Sequence, residues 1–135
     1  MVRLLLDSNA LLWVLGSPEK LGKLARSKIE AASELCFSAA SIFELTFKSQ
    51  KLGRNGLPLL QLRDDFLSAA LAAGFMEIPI KAEHATGSKS FFGFESGDPF
   101  DRIILCQAKH EGALLVTSDE KMLAQGLDWI IDAQK

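Results

Sequence analysis

Short apolar runs alternate along the chain with longer stretches whose apolar residues recur at helical spacing. The short runs have strand length and predict five strands, at residues 2–6, 35–38, 76–80, 113–117 and 129–131. The first run is apolar at every position except Arg3, which is typical of a strand covered on both faces. The pattern therefore predicts strands that lie inside the protein, with other elements packed on either side of them.

The stretches between these runs carry the start and stop signals of helices. Helices are predicted from the end of the first strand to residue 15, around 21–32, at 42–51, at 58–73, from 99 to about 110, and briefly from 120. Pro58 and Pro99 suit first helical positions, whereas Gly53, Gly74 and Gly112 suit helix ends. Strands and helices that alternate in this way predict an α/β fold, in which helices cover both faces of a parallel sheet.

Composition limits the class of protein. The chain has 135 residues, of which 48% are hydrophobic and 24% are charged, so it suits one globular domain, residues 1–135, with its own core. No apolar run approaches the ~20 residues of a membrane span. Asp7 and Asn9 interrupt the apolar start of the chain, unlike the core of a signal peptide. We therefore expect a cytoplasmic protein that has no membrane partner.

The cysteines and the net charge bear on which kinds of site the chain can hold. Cys36 and Cys106 lie far apart in apolar surroundings, which predicts buried, reduced thiols. The net charge of −2 counts mildly against nucleic-acid binding. Bound cations can offset acidic residues, however, and a local basic patch does not require a basic total. Lys48, Lys51 and Arg54 are either such a patch or the ordinary solvated end of a helix.

Acidic residues follow several of the predicted strands. Asp7 comes directly after the first strand, Glu44 lies at the start of the helix after the second, and Asp119 comes two residues after the fourth. Because the carboxyl ends of parallel strands meet at one edge of a sheet, we expect these three side chains to lie together. Asp98 and Asp101 open the helix before the fourth strand and join them if that helix begins at the same edge.

Each of these acids also has a purely local explanation. Asp7, Asp98 and Asp119 each precede a predicted helix and could cap it by accepting a backbone N–H. Ser41 and Glu44 have the spacing of a capping box, in which the glutamate reaches back to the first residue of the helix. Taken one at a time, these residues are explained at least as well by capping as by catalysis.

Their convergence favours a metal site. Carboxylates gathered at one edge repel one another and raise one another's pKa, so a purely structural protein has little reason to collect them. A divalent cation removes that conflict, and Mg²⁺ prefers oxygen ligands. One or two such ions could activate water and stabilise a leaving oxygen during phosphodiester hydrolysis. The sequence therefore predicts a metal-dependent nuclease.

Four segments of the chain resemble the motifs of the PIN-domain family, in particular the VapC-type toxins of bacterial type II toxin–antitoxin pairs. They are LLLDSNALLW, SAASIFELTFK followed by KLG, DPFDRIILCQA and LLVTSD, which occur in this order between Arg3 and about Asp119. The resemblance implies a three-layer α/β/α PIN-like domain with a central parallel sheet. It also implies Mg²⁺- or Mn²⁺-dependent endoribonuclease activity.

The resemblance assigns the acidic positions one by one. Asp7 matches the first acidic residue of the family and Glu44 the second. Asp101, rather than Asp98, matches the third because it directly precedes the helical run, and Asp119 matches the fourth. These four are the expected catalytic residues and metal ligands. The resemblance further implies an RNA substrate, a homodimer, and a small cognate antitoxin protein that inserts into the active-site groove.

Polar residues beside these acids have two interpretations. Asn9 and Ser118, like Ser8 and Thr117, could hydrogen-bond a carboxylate, a metal-bound water or a substrate phosphate, as supporting groups do around metals. They could equally satisfy backbone groups at the turns. Asp98 is expected to have a supporting or purely structural role.

Aromatic residues mark a further candidate region. Phe91, Phe92 and Phe94 lie in the irregular segment 86–97, where they could anchor the loop to the core, pack at a dimer interface or stack on an unpaired base. Phe43 departs from the family pattern, in which Trp often precedes the second acidic residue; a bulky aromatic is retained there.

Other acidic, Mg²⁺-dependent folds fit less well. A receiver-like signalling domain needs an aspartate after its third strand, where this chain has Ile80 and Lys81. A haloacid-dehalogenase-type phosphatase needs a second aspartate two residues after the first, and Asn9 occupies that position. The remaining alternative is a catalytically inactive PIN-like module that binds RNA or protein.

Overall fold

The computed structural model describes residues 2–91 and 98–135, in which strands and helices alternate from end to end. The strands are β1 (Arg3–Leu6), β2 (Glu34–Ser38), β3 (Met76–Ile78), β4 (Leu114–Thr117) and β5 (Ile130–Asp132). The helices are α1 (Ser8–Gly16), α2 (Lys23–Ala31), α3 (Ala39–Gln50), α4 (Phe66–Ala72), α5 (Ala82–Gly87), α6 (Pro99–His110) and α7 (Glu120–Leu123). Short 3₁₀ turns occupy Pro18–Lys20 and Ser88–Phe91.

The five strands form one parallel sheet in the order β3-β2-β1-β4-β5. The central strand β1 sets Leu5 beside Cys36 of β2 on one side and beside Leu115 of β4 on the other. Because every strand runs in the same direction, all of their carboxyl ends open at one edge. The predicted parallel sheet is confirmed, and each predicted strand is present with small shifts at its ends.

The sheet is the middle of three layers because its side chains alternate between two apolar clusters. Leu4 and Leu6 point into one cluster, with residues of α1 and α4, and Leu5 points into the other, with residues of α6. All three leucines are fully buried. This explains why β1 is apolar at every position after Arg3 and confirms the α/β/α architecture.

The helix predicted at residues 58–73 is wrong in its first half. Pro58 forms an isolated antiparallel bridge with Leu52, and the N–H of Leu59 donates to the carbonyl of Lys51 at 2.9 Å. Gly56, with a φ of 76°, makes the turn between them. The chain is therefore tied back onto the end of α3, and α4 begins only at Phe66.

Predictions about other regions have mixed outcomes. Cys36 and Cys106 are both free thiols, but Cys106 is half-buried rather than buried.

Phe91 packs edge-on against Trp129, with ring centroids 6.3 Å apart, as expected for an anchor to the core. Phe92 and Phe94 lie outside the described residues. Within the described ranges, no helix is long and apolar enough to cross a membrane.

Candidate active site

A cleft of about 600 Å³ opens at the carboxyl edge of the sheet. The four carboxylates predicted as catalytic all line it, together with the three predicted supporting residues. In chain order these seven are Asp7, Asn9, Glu44, Asp98, Asp101, Ser118 and Asp119. The amino terminus of α6 therefore does pack at this edge, which sequence alone left open.

Asp7 is buried where β1 passes into α1. Its Oδ1 accepts the N–H of Ala10 at 2.9 Å, so it caps α1, and its Oδ2 accepts the hydroxyl of Thr117. Its own N–H donates to the carbonyl of Val116 on the neighbouring strand at 3.0 Å. Asp7 is therefore a helix cap, as one of the two explanations predicted. The cap does not exclude it from the site, because the same hydrogen bonds hold its carboxylate at the cleft.

Thr117 joins the two acids that follow adjacent strands. The hydroxyl of this fully buried residue donates to Asp7 and accepts the N–H of Asp119 at 3.0 Å. Asp119 in turn caps α7 by accepting the N–H of Met122 at 2.9 Å. From the sequence, Thr117 was only one of several residues that could hydrogen-bond a carboxylate. Its signal was a hydroxyl residue at the last position of a strand, two residues before an acid.

Glu44, Asp98 and Asp101 form a close group, in which one carboxylate oxygen of each residue lies within 4.8 Å of the others. Asp98 also caps α6, since its Oδ1 accepts the N–H of Phe100 at 2.9 Å. Asp98 was expected to be supporting or structural, and the structure gives it the cap as well as a position beside the other two. Asp7 and Asp119 line the same cleft without belonging to this group of three.

The capping-box explanation of Glu44 is wrong. Helix α3 begins at Ala39 and is capped by Ser38, whose hydroxyl accepts the N–H of Ala40 at 3.0 Å. Ser41 is consequently buried inside the helix, and Glu44 lies in its second turn, too far along to reach the cap. Glu44 instead forms an ion pair with Lys48 at 3.3 Å across one helical turn.

Crowding and burial disfavour the charged forms of two of these acids. Burial raises the pKa of Asp101 to about 7, and repulsion from neighbouring carboxylates, Asp98 first among them, acts in the same direction. Burial also raises the pKa of Asp7 to about 6, because it outweighs the hydrogen bonds from Thr117 and Ala10 that favour the charged form. A cation in this cleft would relieve both effects.

The predicted supporting pair hydrogen-bond each other. The side-chain amide of Asn9 donates to the hydroxyl of Ser118 at 3.4 Å, which links the start of α1 to the end of β4. Positive charge also reaches the cleft through Lys48 and Lys121, which line it. Of the predicted basic patch only Lys48 does so; Lys51 lies over the ring of Phe47, 5.6 Å from its centroid.

A second group of possible metal ligands lies between α5 and α6, where atoms of Glu83, His84 and His110 come within 4.8 Å of one another. His84 is fully buried, and its Nδ1 accepts the N–H of Lys81 at 2.9 Å. The proton of the neutral ring must therefore be on Nε2. Nε2 presents an N–H instead of a lone pair, so this group is unsuited to a cation.

Comparison with known proteins gives the family. A model of the PIN domain matches residues 4–126, and the chain therefore belongs to the PIN domain family. It is similar to Ribonuclease VapC22 of Mycobacterium tuberculosis, with 32% identity over 123 residues that cover 90% of this chain and 91% of the relative.

Solved structures share the fold. A toxin–antitoxin complex from Klebsiella pneumoniae contains a chain with a TM-score of 0.65 and 20% identity, over 96% of both chains. VapBC2 from Rickettsia felis, bound to a DNA fragment from its promoter, gives a TM-score of 0.63 and 14% identity, again over 96% of both. At these identities the likeness establishes the α/β/α fold alone.

The raised pKa of Asp101 predicts a stability that falls as pH rises. Between about pH 4 and pH 7 the metal-free folded state holds a proton that the unfolded state has released, so unfolding becomes easier as pH increases through this window. Asp101→Asn should then raise the free energy of unfolding at about pH 8, by about 1 kcal/mol after allowance for solvent screening. Urea unfolding in EDTA at about pH 5 and pH 8 measures both effects.

Asp64→Asn, which removes an exposed acid outside the carboxylate cleft, is the matched control. It should leave the free energy of unfolding unchanged at both pH values. If Asp101→Asn were no more stable than the parent protein at about pH 8, burial and crowding of the Asp101 carboxylate would not be a significant cost in this fold.

Proposed function

We propose that this PIN domain is a metal-dependent endoribonuclease, the toxin component of a toxin–antitoxin pair, which hydrolyses RNA phosphodiester bonds. The single observation that carries the proposal is the cleft shared by Asp7, Glu44, Asp101 and Asp119, which come from four different parts of the chain. Two further facts support RNA as the substrate: membership of the PIN family, and a relative of 32% identity that is named a ribonuclease.

The donor set fits a hard divalent cation. The acids that line the cleft offer carboxylate oxygens, which suit Mg²⁺ or Mn²⁺ rather than softer metals. Burial, with repulsion from neighbouring carboxylates, raises the pKa of Asp7 and Asp101, and a bound cation would favour the charged form of both. We propose Asp7, Glu44, Asp101 and Asp119 as the ligands, with Asp98 beside them. When bound, the ion would supply an activated water and charge stabilisation for the leaving oxygen.

Other residues of the cleft would hold the site in shape and attract the substrate. Thr117 orients Asp7 through its hydroxyl and fixes the backbone of Asp119. Lys48 and Lys121 supply positive charge beside the carboxylates, where a phosphate of the RNA backbone would otherwise be repelled. Lys48 can exchange its contact with Glu44 for a phosphate, because both partners are on the surface of the cleft.

We propose the whole chain, residues 1–135, as one PIN domain. The family match ends at residue 126, but β5 pairs with β4 beyond it, and Ala133 is fully buried. Limited proteolysis would release a stable shorter fragment if the carboxyl-terminal segment were a separate unit.

The proposed partners are a small antitoxin protein and a second copy of this chain. A neighbour in structure is part of a toxin–antitoxin complex, and a carboxylate cleft of this kind can be blocked by a partner's basic side chain. Co-expression with the product of the adjacent upstream gene should yield a co-purifying complex in which RNA cleavage is suppressed. Failure to co-purify, with cleavage unaffected, would count against the toxin assignment. Sedimentation velocity of the isolated chain tests the second partner and should show a dimer.

Cleavage of single-stranded RNA should require Mg²⁺ or Mn²⁺ and should be lost in EDTA. Asp7→Asn should abolish it, because the amide retains the size of the side chain but removes the negative charge that holds a cation. Gel analysis of a labelled RNA after incubation with each variant measures this. Full activity in EDTA, or an unimpaired Asp7→Asn variant, would overturn the mechanism. Intact metal binding without cleavage of varied RNAs would favour a non-catalytic binding module.

Thr117→Val should lower the cleavage rate by about 10- to 100-fold, as loss of a supporting hydrogen bond does at metal sites. It removes the hydroxyl that orients Asp7 while it keeps the buried volume. The apparent affinity for Mn²⁺, measured from the dependence of rate on metal concentration, should weaken as well. Thr117→Ser keeps the hydroxyl and is the matched control, with near-parental affinity. If valine were tolerated as well as serine, Thr117 would have no positioning role.

A further inference from the structure

Aromatic rings are exposed directly beside the carboxylate cleft. Phe43 and Phe47 of α3 are 59% and 52% exposed, and they lie one helical turn apart on the same face. Phe100, at the start of α6, adds a third ring, whose centroid is 5.4 Å from that of Phe43. We call these three residues the aromatic shelf. Exposing two phenylalanine rings forgoes the free energy of burying them, which indicates that something covers the shelf in use.

The shelf lines a second hollow, of about 280 Å³, that continues the carboxylate cleft. Pro99 completes the apolar wall of this hollow. Glu44, Lys48 and Asp98 line both the hollow and the cleft, so no other element of the described ranges separates the two. A molecule held at the carboxylates can therefore extend onto the shelf without leaving the surface of the protein.

Charge and shape around the shelf suit a nucleobase attached to a phosphate chain. Lys48 lines both the hollow and the cleft, where it pairs with Glu44, and Lys51 lies over the ring of Phe47. Flat aromatic faces flanked by cations are the arrangement that binds single-stranded nucleic acids: the rings stack on bases while the cations contact phosphates. A hollow of this size accepts one base, whereas a helical partner needs a long groove with several successive apolar pockets.

We propose that the aromatic shelf is a base-stacking subsite for the nucleotide next to the scissile phosphate, so that the substrate must be unpaired there. This inference rests on the proposed RNA cleavage. Because every base has a π-face, stacking selects unpaired RNA over duplex without demanding one particular base. The proposed stacking surface is thus on α3 and α6, and it is separate from Phe91, for which stacking was one alternative. Phe91 packs against Trp129 and lines neither the hollow nor the cleft.

The test combines a protein variant with a substrate lacking one base. Steady-state cleavage is measured on a single-stranded RNA and on copies with an abasic ribose at each position beside the cut. One abasic position should lower kcat/KM of the parent protein by roughly 5- to 100-fold, mainly through KM. Phe43→Leu should show a similar loss on intact RNA and little further loss at that abasic position, because the two changes remove the same contact. Leu57→Ala, at an exposed leucine outside both hollows, should behave like the parent.

Equal sensitivity of parent and Phe43→Leu to every abasic position would overturn the inference while leaving the nuclease proposal intact. Equilibrium binding of uncut RNA to the Asp101→Asn variant, with and without Phe43→Leu, tests the subsite independently of cleavage. If RNA binding depended on the ring of Phe43 but the parent protein did not cleave RNA, the nuclease proposal would fail and the base-stacking subsite would stand. If Phe43→Leu changed the sedimentation of the chain but neither RNA binding nor cleavage, the shelf would be a protein interface instead.

Discussion

Negative charge gathered at one edge of a parallel sheet is the constraint on which the rest of this structure depends. Parallel pairing of β1 with β4 brings Asp7 and Asp119 to the same edge, and the first turn of α6 adds Asp101. Burial and mutual repulsion raise the pKa of Asp7 and Asp101, so the arrangement costs free energy without a cation. Two apolar clusters, one on each face of the sheet, offset that cost by holding the strand ends and helix starts in place.

Helix capping and the proposed catalytic role use the same carboxylates. Asp7, Asp98 and Asp119 each accept a backbone N–H at the start of a helix, which fixes the side chain against the end of that helix. The positive end of the helix dipole also favours the charged form. Capping, which explained these residues individually from the sequence, is therefore part of how the fold tolerates so many acids in one cleft.

The surroundings of the cleft are compatible with the proposed RNA substrate even though the chain is acidic overall. The net charge of −2 is that of the whole chain, whereas Lys48 and Lys121 place positive charge directly beside the carboxylates. The exposed rings of Phe43 and Phe47 offer apolar contacts next to this cleft. The proposed contacts with phosphate, metal and base would thus come from adjacent groups on α3, α6 and α7, which the carboxyl edge of the sheet brings together.

Sequence by itself determined the strands, the parallel sheet, and the positions of Asp7 and Asp119, because each is set within a few residues of an apolar run that must be buried. It misjudged the starts of α3 and α4, where Ser38 provides an earlier cap and Pro58 pairs with Leu52. Tertiary structure alone decided that α6 begins at the sheet edge, that Asp98 lies beside Glu44, and that Thr117 bridges two acids. These depend on contacts between residues far apart in the chain, and local periodicity carries no information about such contacts.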